Sequence, residues 1–178
     1  MIQPPTEIQT SSLRLREPVV ADAEAIFEEY AADPDVTRYM TWVPHSTSTT
    51  VADFLKVLAS RAKSGEEYSW VLTNIDSARA IGMIGARVRD FKVDIGYVLG
   101  RAHWGKGYMT EAVSAVAEWF LSSGEIFRVW AVCDIENPAS ARVLEKSNFV
   151  REGILRRWMS HPNLSSEPRD CYIYGRVR

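Results

Sequence analysis

The segment Leu99-Gly-Arg-Ala-His-Trp-Gly-Lys-Gly-Tyr108 joins a predicted strand to the start of a strong helical pattern. Gly105 and Gly107 permit positive φ angles and the close approach of a ligand, and Lys106 adds a positive charge. Backbone N–H groups at such a turn can bind an anion, with the helix dipole behind them. The segment is neither a P-loop nor a complete dinucleotide fingerprint. Taken alone, it predicts either a phosphate-binding loop or an ordinary helix-starting turn.

A second short helix is predicted to begin at Asn137. Asn is a good N-cap residue and the following Pro138 is favoured at the first helical position, so capping alone explains both residues. Asn148 fits a left-handed cap at the end of this helix. The helix and the glycine segment flank one strand, predicted over 126–133. Both helix N-termini are therefore expected near the carboxyl ends of neighbouring strands, where open sheets hold ligands.

Hydrophobic periodicity assigns the remaining elements. Leu13 and Leu15 alternate with arginines as in a short strand, and a capping box at Thr50 to Asp53 predicts the start of a helix with an apolar face. The predicted helices cover 22–32, 50–65, 108–122 and 137–147, and the other predicted strands cover 68–73, 80–88, 92–99, 149–155 and 171–177. About seven strands and about four helices in this order indicate an α+β or mixed α/β fold, in a single domain over residues 1–178.

Composition narrows the class of protein. The chain has 178 residues and a hydrophobic fraction of 46%, which excludes intrinsic disorder. Its net charge of -2 lacks the basic excess of a general nucleic-acid binder. No apolar run approaches the roughly 18 residues that a membrane span needs, and the first residues do not resemble a signal peptide. We therefore expect a cytoplasmic protein without nucleic-acid or membrane partners, in which Cys133 and Cys171 are reduced and buried rather than joined in a disulfide.

With these features assembled, the sequence resembles the GNAT superfamily of acetyl-CoA-dependent N-acetyltransferases, and within it the Rim-type branch that acetylates ribosomal-protein N-termini. The resemblance covers nearly the whole chain. The segments that carry it are Leu13-Arg-Leu-Arg16, Asp22-Ala-Glu-Ala-Ile-Phe27, Asp35-Val-Thr-Arg-Tyr-Met40, Ile95-Gly-Tyr-Val-Leu99, Trp104-Gly-Lys-Gly-Tyr-Met-Thr-Glu-Ala112 and Asn137 to Phe149.

The resemblance implies a mostly antiparallel, twisted sheet that splays between its fourth and fifth strands, acetyl-CoA as cosubstrate, no metal, and a monomer or homodimer. Backbone groups of Val98 and Leu99 would lie near the thioester carbonyl, Asn137 would bond the pantetheine arm, and Ser140 would protonate the leaving thiolate. Arg142 and Lys146 would reach the phosphates, although a solvent-exposed helix face explains these two residues equally well. The residues that would wrap the pyrophosphate are Trp104, Gly105, Lys106, Gly107, Tyr108, Met109 and Thr110.

The sequence departs from the family pattern at two places. Ala102 stands where Gln or Arg is usual, and Arg101 is the possible substitute. At the positions that hold a basic carboxylate in some relatives, this chain has Val132 and, after the next strand, Trp158 or Met159. The remaining candidate bases are Asp94 first, then Glu136 and His45.

The acceptor side is predicted from the variable early region. Tyr39, Trp42 and His45 are the candidate residues there, although core packing also explains the two aromatic residues. The polar segment 160–168 would border the acceptor or form a mobile loop.

A site without a strong base favours an amine that is already partly neutral, since an α-amine has a pKa of about 7.7–8.0 and lysine about 10.4. The leading hypothesis is acetyl transfer to a primary amine by direct attack in a ternary complex. The expected acceptor is a protein N-terminal α-amine. A small-molecule acceptor (polyamine, amino acid or antibiotic) is the alternative among enzymes. A non-catalytic acyl-CoA sensor is the alternative of another class.

Overall fold

A computed structural model describes residues 2–178, and within that range eight strands form one open sheet. The order of the strands across the sheet is β1-β2-β3-β4-β5-β6-β8-β7. The strands are β1 Glu7–Gln9, β2 Leu13–Arg16, β3 Glu67–Asn74, β4 Gly82–Arg89, β5 Lys92–Leu99, β6 Arg128–Asp134, β7 Val150–Met159 and β8 Arg169–Val177.

The helices lie on both faces of the sheet and differ widely in length. They are α1 Ala23–Ile26, α2 Pro34–Thr37, α3 Ser48–Ser64, α4 Tyr108–Ser122 and α5 Pro138–Lys146. A π-helical turn, Phe27–Ala31, follows α1, and a single 3-10 turn, Arg101–His103, precedes α4. None of the helices within residues 2–178 has the length and apolar character that a bilayer span requires.

The sheet opens in its middle, between β5 and β6. All other neighbouring strands pair antiparallel, but β5 and β6 run parallel and pair only where Lys92–Asp94 faces Arg128–Trp130. Beyond Asp94 the two strands diverge, so the carboxyl-terminal half of β5 has a free edge. This opening confirms the predicted splay, since β5 and β6 are the fourth and fifth strands of the sequence prediction.

Two apolar clusters hold the helices against the sheet. On α4, Ala112, Val116 and Phe120 are completely buried, as the helical spacing of apolar residues predicts. On the opposite side, Leu55 and Leu58 of α3 pack with the early helices in a second cluster. Complete burial of a side chain such as Phe120 contributes about 1.5–3 kcal/mol. The two clusters therefore fix the helices on opposite faces of the sheet.

The structure corrects several details of the sequence prediction. It has eight strands rather than about seven and five helices rather than about four, because the three-residue β1 and the four-residue α2 are too short to show periodicity. Helix α3 begins after Thr47, not at the predicted capping box, and Asp53 pairs with Lys56 instead. Phe54 and Val57, predicted on its apolar face, are exposed.

Candidate active site

A cavity of about 540 Å³ lies at the opening between β5 and β6. The end of β5, the start of α4 and the start of α5 line it, together with the segment around α2. This arrangement confirms that both helix N-termini open at the carboxyl end of the central strands, as the order of elements predicts. Most of the predicted site residues lie together here: Tyr39, Val98, Leu99, Trp104, Gly105, Gly107, Tyr108, Met109, Thr110, Asn137, Ser140, Arg142 and Lys146.

The glycine segment forms an open turn in front of α4, of the kind that can bind an anion. Gly105 and Gly107 adopt φ angles of 75° and 84°, and a Cβ on either glycine would meet no atom within 4 Å. Gly107 is the N-cap of α4 and supplies no side-chain cap, so the first N–H groups of the helix have no partner from the cap. The first residues of α4 line the cavity, so the positive end of the helix dipole lies at its wall. Lys106, in contrast, is exposed and does not line the cavity.

The free edge of β5 presents backbone groups of Leu99 but not of Val98. The Gly100 N–H donates to the Ile81 carbonyl at 2.8 Å. Since bonded and non-bonded pairs alternate in an antiparallel ladder, Val98 exchanges its bonds with Met83 on β4. Leu99 therefore turns its N–H and C=O toward the splay, where the Trp104 indole N–H donates to the carbonyl at 2.7 Å. The Leu99 N–H remains available to a ligand, and Val98 lines the cavity without free backbone groups.

Helix α5 contributes side chains rather than backbone donors. The Asn137 Oδ1 accepts the Ser140 N–H at 3.1 Å, and Pro138 has no N–H. Ser140 faces the cavity, and its Oγ lies 2.8 Å from the Tyr97 hydroxyl on β5. Tyr97 is half-buried, and burial raises its pKa well above the usual range, so the phenol stays protonated and can donate to Ser140. Sequence analysis missed Tyr97 because 43 residues separate it from Ser140.

The acceptor side of the cavity is only partly as predicted. Tyr39 lines it, and its hydroxyl donates to the Glu136 carbonyl at 2.7 Å. Trp42 and His45 do not line it: their rings stack on each other, 5.1 Å apart, and burial lowers the pKa of His45. Arg38 and Met40, which the sequence analysis did not select, line the cavity beside Tyr39.

The candidate bases are engaged elsewhere. The Arg87 Nε donates to the Asp94 carboxylate at 2.8 Å, and Asp94 lies outside the cavity lining, so its proposed role as base finds no support. Glu136 pairs with Arg169 at 2.8 Å. Arg101, the possible substitute for the missing Gln or Arg, bonds Asp35 at 3.0 Å and is likewise absent from the lining. Within residues 2–178, no three His, Cys, Asp or Glu side chains gather as a metal site requires.

A splayed sheet with an open helix N-terminus on one side and a hydroxyl pair on the other is the arrangement expected of a coenzyme A-dependent acyltransferase. Comparison with known proteins identifies the family. Residues 12–150 match the acetyltransferase (GNAT) domain. The chain therefore belongs to the GNAT family and is an N-acetyltransferase that uses acetyl-CoA, which confirms the resemblance seen in its sequence.

Individual relatives give the same result. The chain is 30% identical over 152 residues to the uncharacterized N-acetyltransferase p20 of Bacillus licheniformis, covering 84% of this chain and 85% of that protein. A crystal structure of a GNAT-family acetyltransferase from Bacillus anthracis superposes with a TM-score of 0.83 at 26% identity, covering 96% and 98% of the two chains. A shorter match, 34% over 84 residues, is to the ribosomal-protein-serine acetyltransferase of Escherichia coli, covering 47% of this chain and 45% of that one.

Proposed function

We propose that the enzyme transfers the acetyl group of acetyl-CoA to a protein N-terminal α-amine, by direct attack in a ternary complex. The observation that carries the proposal is the composition of the cavity. Among the described residues that line it, Asp35 is the sole carboxylate, and Arg101 pairs with it. A lysine-like amine with a pKa of about 10.4 would need a strong base, whereas an α-amine with a pKa of about 7.7–8.0 is already partly neutral.

The cosubstrate would be held by the residues on the α4 and α5 sides. The open N-terminus of α4, with Gly105 and Gly107, would bind the pyrophosphate through backbone N–H groups. Arg142 and Lys146 line the same cavity and would contribute positive charge toward the phosphates. The Leu99 N–H would donate to the thioester carbonyl oxygen and stabilise the negative charge that develops there.

The transfer then needs one attack and one proton donation. The neutral amine nitrogen attacks the carbonyl carbon of the thioester, and the resulting tetrahedral intermediate expels the thiolate as the C–S bond breaks. Ser140 gives its hydroxyl proton to the thiolate sulfur, and the Tyr97 phenol, 2.8 Å away, replaces that proton through its hydrogen bond. The amine loses its surplus proton to water, and solvent returns a proton to Tyr97. The products are the acetylated amine and free coenzyme A.

The acceptor class has support from one relative and from the cavity. The relative in Escherichia coli is named a ribosomal-protein-serine acetyltransferase, and the acceptor side of the cavity carries Arg38, Tyr39 and Met40 rather than an acidic cluster. A polyamine site would need several carboxylates to hold its positive charges.

The proposal is tested by incubating the protein with acetyl-CoA and a panel of amines, followed by mass spectrometry of the products. The panel contains a short peptide with a free N-terminal serine, the same peptide N-terminally blocked but carrying lysine, and spermidine. Acetylation of the free α-amine, lost in Ser140→Ala, is the expected result. Preferred acetylation of spermidine would contradict the acceptor class. Tight binding of acetyl-CoA with no product from any amine would indicate a sensor instead.

The cysteines support a reducing compartment for this reaction. Cys133 and Cys171 are both free and buried, and burial raises their pKa values to about 12 and about 11. Such thiols react slowly because the thiolate is the reactive form. The cytoplasmic location that we propose therefore rests on the reduced state of both cysteines and not on their pKa values.

A further inference from the structure

The loop between β7 and β8, residues 160–168, lies against the acceptor side of the cavity. The Asn163 side-chain amide donates one hydrogen to the Thr37 carbonyl at 2.7 Å and the other to the Trp42 carbonyl at 2.8 Å. The residues between those two carbonyls include Arg38, Tyr39 and Met40, which line the cavity. Asn163 thus holds both ends of the acceptor wall, which we define as residues 37–42.

The chemistry of this contact is specific to a carboxamide. Both partners of Asn163 are carbonyl oxygens, which only accept hydrogen bonds, so only the NH₂ group can face them. The Thr37 carbonyl also accepts the Met40 N–H at 2.8 Å, which folds the wall into a turn directly above Asn163. A carboxylate in the same position would direct oxygen atoms and a negative charge at two carbonyl oxygens.

The loop that carries Asn163 is itself firmly held. His161 is 2% exposed, and its carbonyl accepts the N–H groups of Leu164 and Ser165, closing a tight turn around Asn163. The His161 ring meets the Tyr39 ring edge to face at 6.4 Å. Its two ring nitrogens have no hydrogen-bond partner, and the Asp134 carboxylate lies 3.7 Å from Nε2. The loop is therefore a rigid support rather than a free segment.

The wall is also tied to the helix that carries Ser140. The Tyr39 hydroxyl donates to the Glu136 carbonyl, and Glu136 directly precedes Asn137, the N-cap of α5. Displacement of the wall would therefore move Tyr39 relative to Ser140. Since misplacement of reacting groups by about 1 Å can cost about a hundredfold in rate, the support behind the wall has consequences for catalysis.

We propose that Asn163 is a positioning residue that sets the acceptor selectivity of the enzyme by fixing the acceptor wall, residues 37–42. This inference rests on the proposed function, because it assumes that the amine binds against Tyr39. Asn163 does not line the cavity and acts through the main chain of the wall. The side-chain hydrogen bonds of Asn163 go to Thr37 and Trp42 and reach none of the residues assigned to acetyl-CoA, so its substitution should leave acetyl-CoA binding unchanged.

The structural part of the proposal is tested without any acceptor. Hydrogen exchange of the free protein is compared for the wild type, Asn163→Asp and Ser166→Asp, which adds the same charge at an exposed position of the same loop. Amides of residues 38–42, with Met40 foremost, are expected to exchange about tenfold faster in Asn163→Asp alone, as the loss of two hydrogen bonds implies. Unchanged exchange in this segment would overturn the proposal. Faster exchange throughout the protein would overturn it too, because it indicates general destabilisation.

The functional part is tested by steady-state kinetics with the serine peptide and spermidine. In Asn163→Asp the KM for the peptide should rise about tenfold, and the ratio of kcat/KM for peptide over spermidine should fall. The calorimetric affinity for acetyl-CoA should stay within about twofold of the wild type, as expected for independent sites. Asn163→Ala, which removes the donors without adding repulsion, should give a smaller change in the same direction. An unchanged ratio, or a parallel loss of acetyl-CoA affinity, would overturn the proposal.

Failure of the proposed function would give a different pattern. If the wild type acetylates no amine of the panel, the acceptor assignment fails, whereas hydrogen exchange still decides whether Asn163 holds the wall.

Discussion

The N-termini of α4 and α5 open into the same cavity but are built in opposite ways. Helix α4 begins at Gly107, a residue in the left-handed region that has no side chain to cap the helix. Helix α5 begins at Asn137, whose side chain accepts the Ser140 N–H, and continues with Pro138. One helix leaves its first N–H groups to a ligand, and the other satisfies its own.

This difference assigns different tasks to the two helices. An open N-terminus binds a phosphate through the main chain and the dipole, so α4 needs only small residues around it. A capped N-terminus is rigid and can hold a reactive side chain in place, as α5 does with Ser140 beside Tyr97. In the proposed function, α4 binds the pyrophosphate through its main chain, whereas α5 supplies the Ser140 side chain for proton transfer and places Arg142 and Lys146 near the phosphates.

The largest effect is expected where α5 performs chemistry. Ser140→Ala removes the proposed proton donor and should lower kcat about a hundredfold, within the usual range for acid–base groups, while the acetyl-CoA affinity changes little. Tyr97→Phe should lower kcat about tenfold, because it removes the phenol that replaces the Ser140 proton but leaves the Ser140 hydroxyl in place. Steady-state kinetics measures kcat, and calorimetry measures the affinity for acetyl-CoA. An equal loss of acetyl-CoA affinity in Ser140→Ala would assign Ser140 to binding instead.

The next effect is expected at the open helix. Gly107→Asp places a negative charge at the N-terminus of α4 and a side chain where none exists, so the affinity for acetyl-CoA should fall about thirtyfold. Gly107→Asn has the same size and tolerates the left-handed conformation, which makes it the matched control. Calorimetry of Gly107→Asn should show a clearly smaller loss of acetyl-CoA affinity than that of Gly107→Asp. Equal losses in both variants would mean that space, not charge, governs the turn.

A smaller effect is expected at the cap of α5. Asn137→Ala should lower the free energy of unfolding by about 1 kcal/mol, the usual cost of a lost N-cap, and Asn137→Ser should restore most of it. Chemical denaturation measures both variants. A strong loss of acetyl-CoA affinity at unchanged stability would show that Asn137 acts on the ligand and not on its helix.

The smallest effect concerns the thiols behind α5. Burial raises the pKa of Cys133 to about 12 and that of Cys171 to about 11, so the native protein should scarcely react with a thiol reagent at pH 8. In the unfolded chain both thiols ionise near the ordinary cysteine pKa of about 8.5. The unfolded state then holds fewer protons, and the free energy of unfolding should fall as the pH rises above that value. Rapid labelling of native Cys133 would contradict its burial.

The cosubstrate half of the site follows from local sequence signals. The positive φ angles of Gly105 and Gly107 and the cap at Asn137 are properties of short segments, so residue types alone predict them. The splay between β5 and β6 was predicted from the family resemblance rather than from periodicity.

The acceptor half depends on contacts between distant segments. Tyr97 meets Ser140 across 43 residues, and Asn163 meets Thr37 across 126. No pattern in the sequence encodes such pairs, so Trp42, His45 and Asp94 were selected by residue type and proved to lie outside the cavity lining. Even in the cosubstrate half, the direction of the Val98 backbone groups follows only from the register of the β4–β5 ladder, which the sequence does not show.

The most direct test of this division is hydrogen exchange with and without acetyl-CoA. Acetyl-CoA is expected to slow exchange at the amides of residues 99–110, around the open N-terminus of α4, and to leave exchange in the acceptor wall at 37–42 unchanged. A second cavity of about 450 Å³, lined by Pro4, Leu58 and Trp70 among others, lies away from the splay. Protection there, with none at 99–110, would contradict the assignment of acetyl-CoA to the opening between β5 and β6.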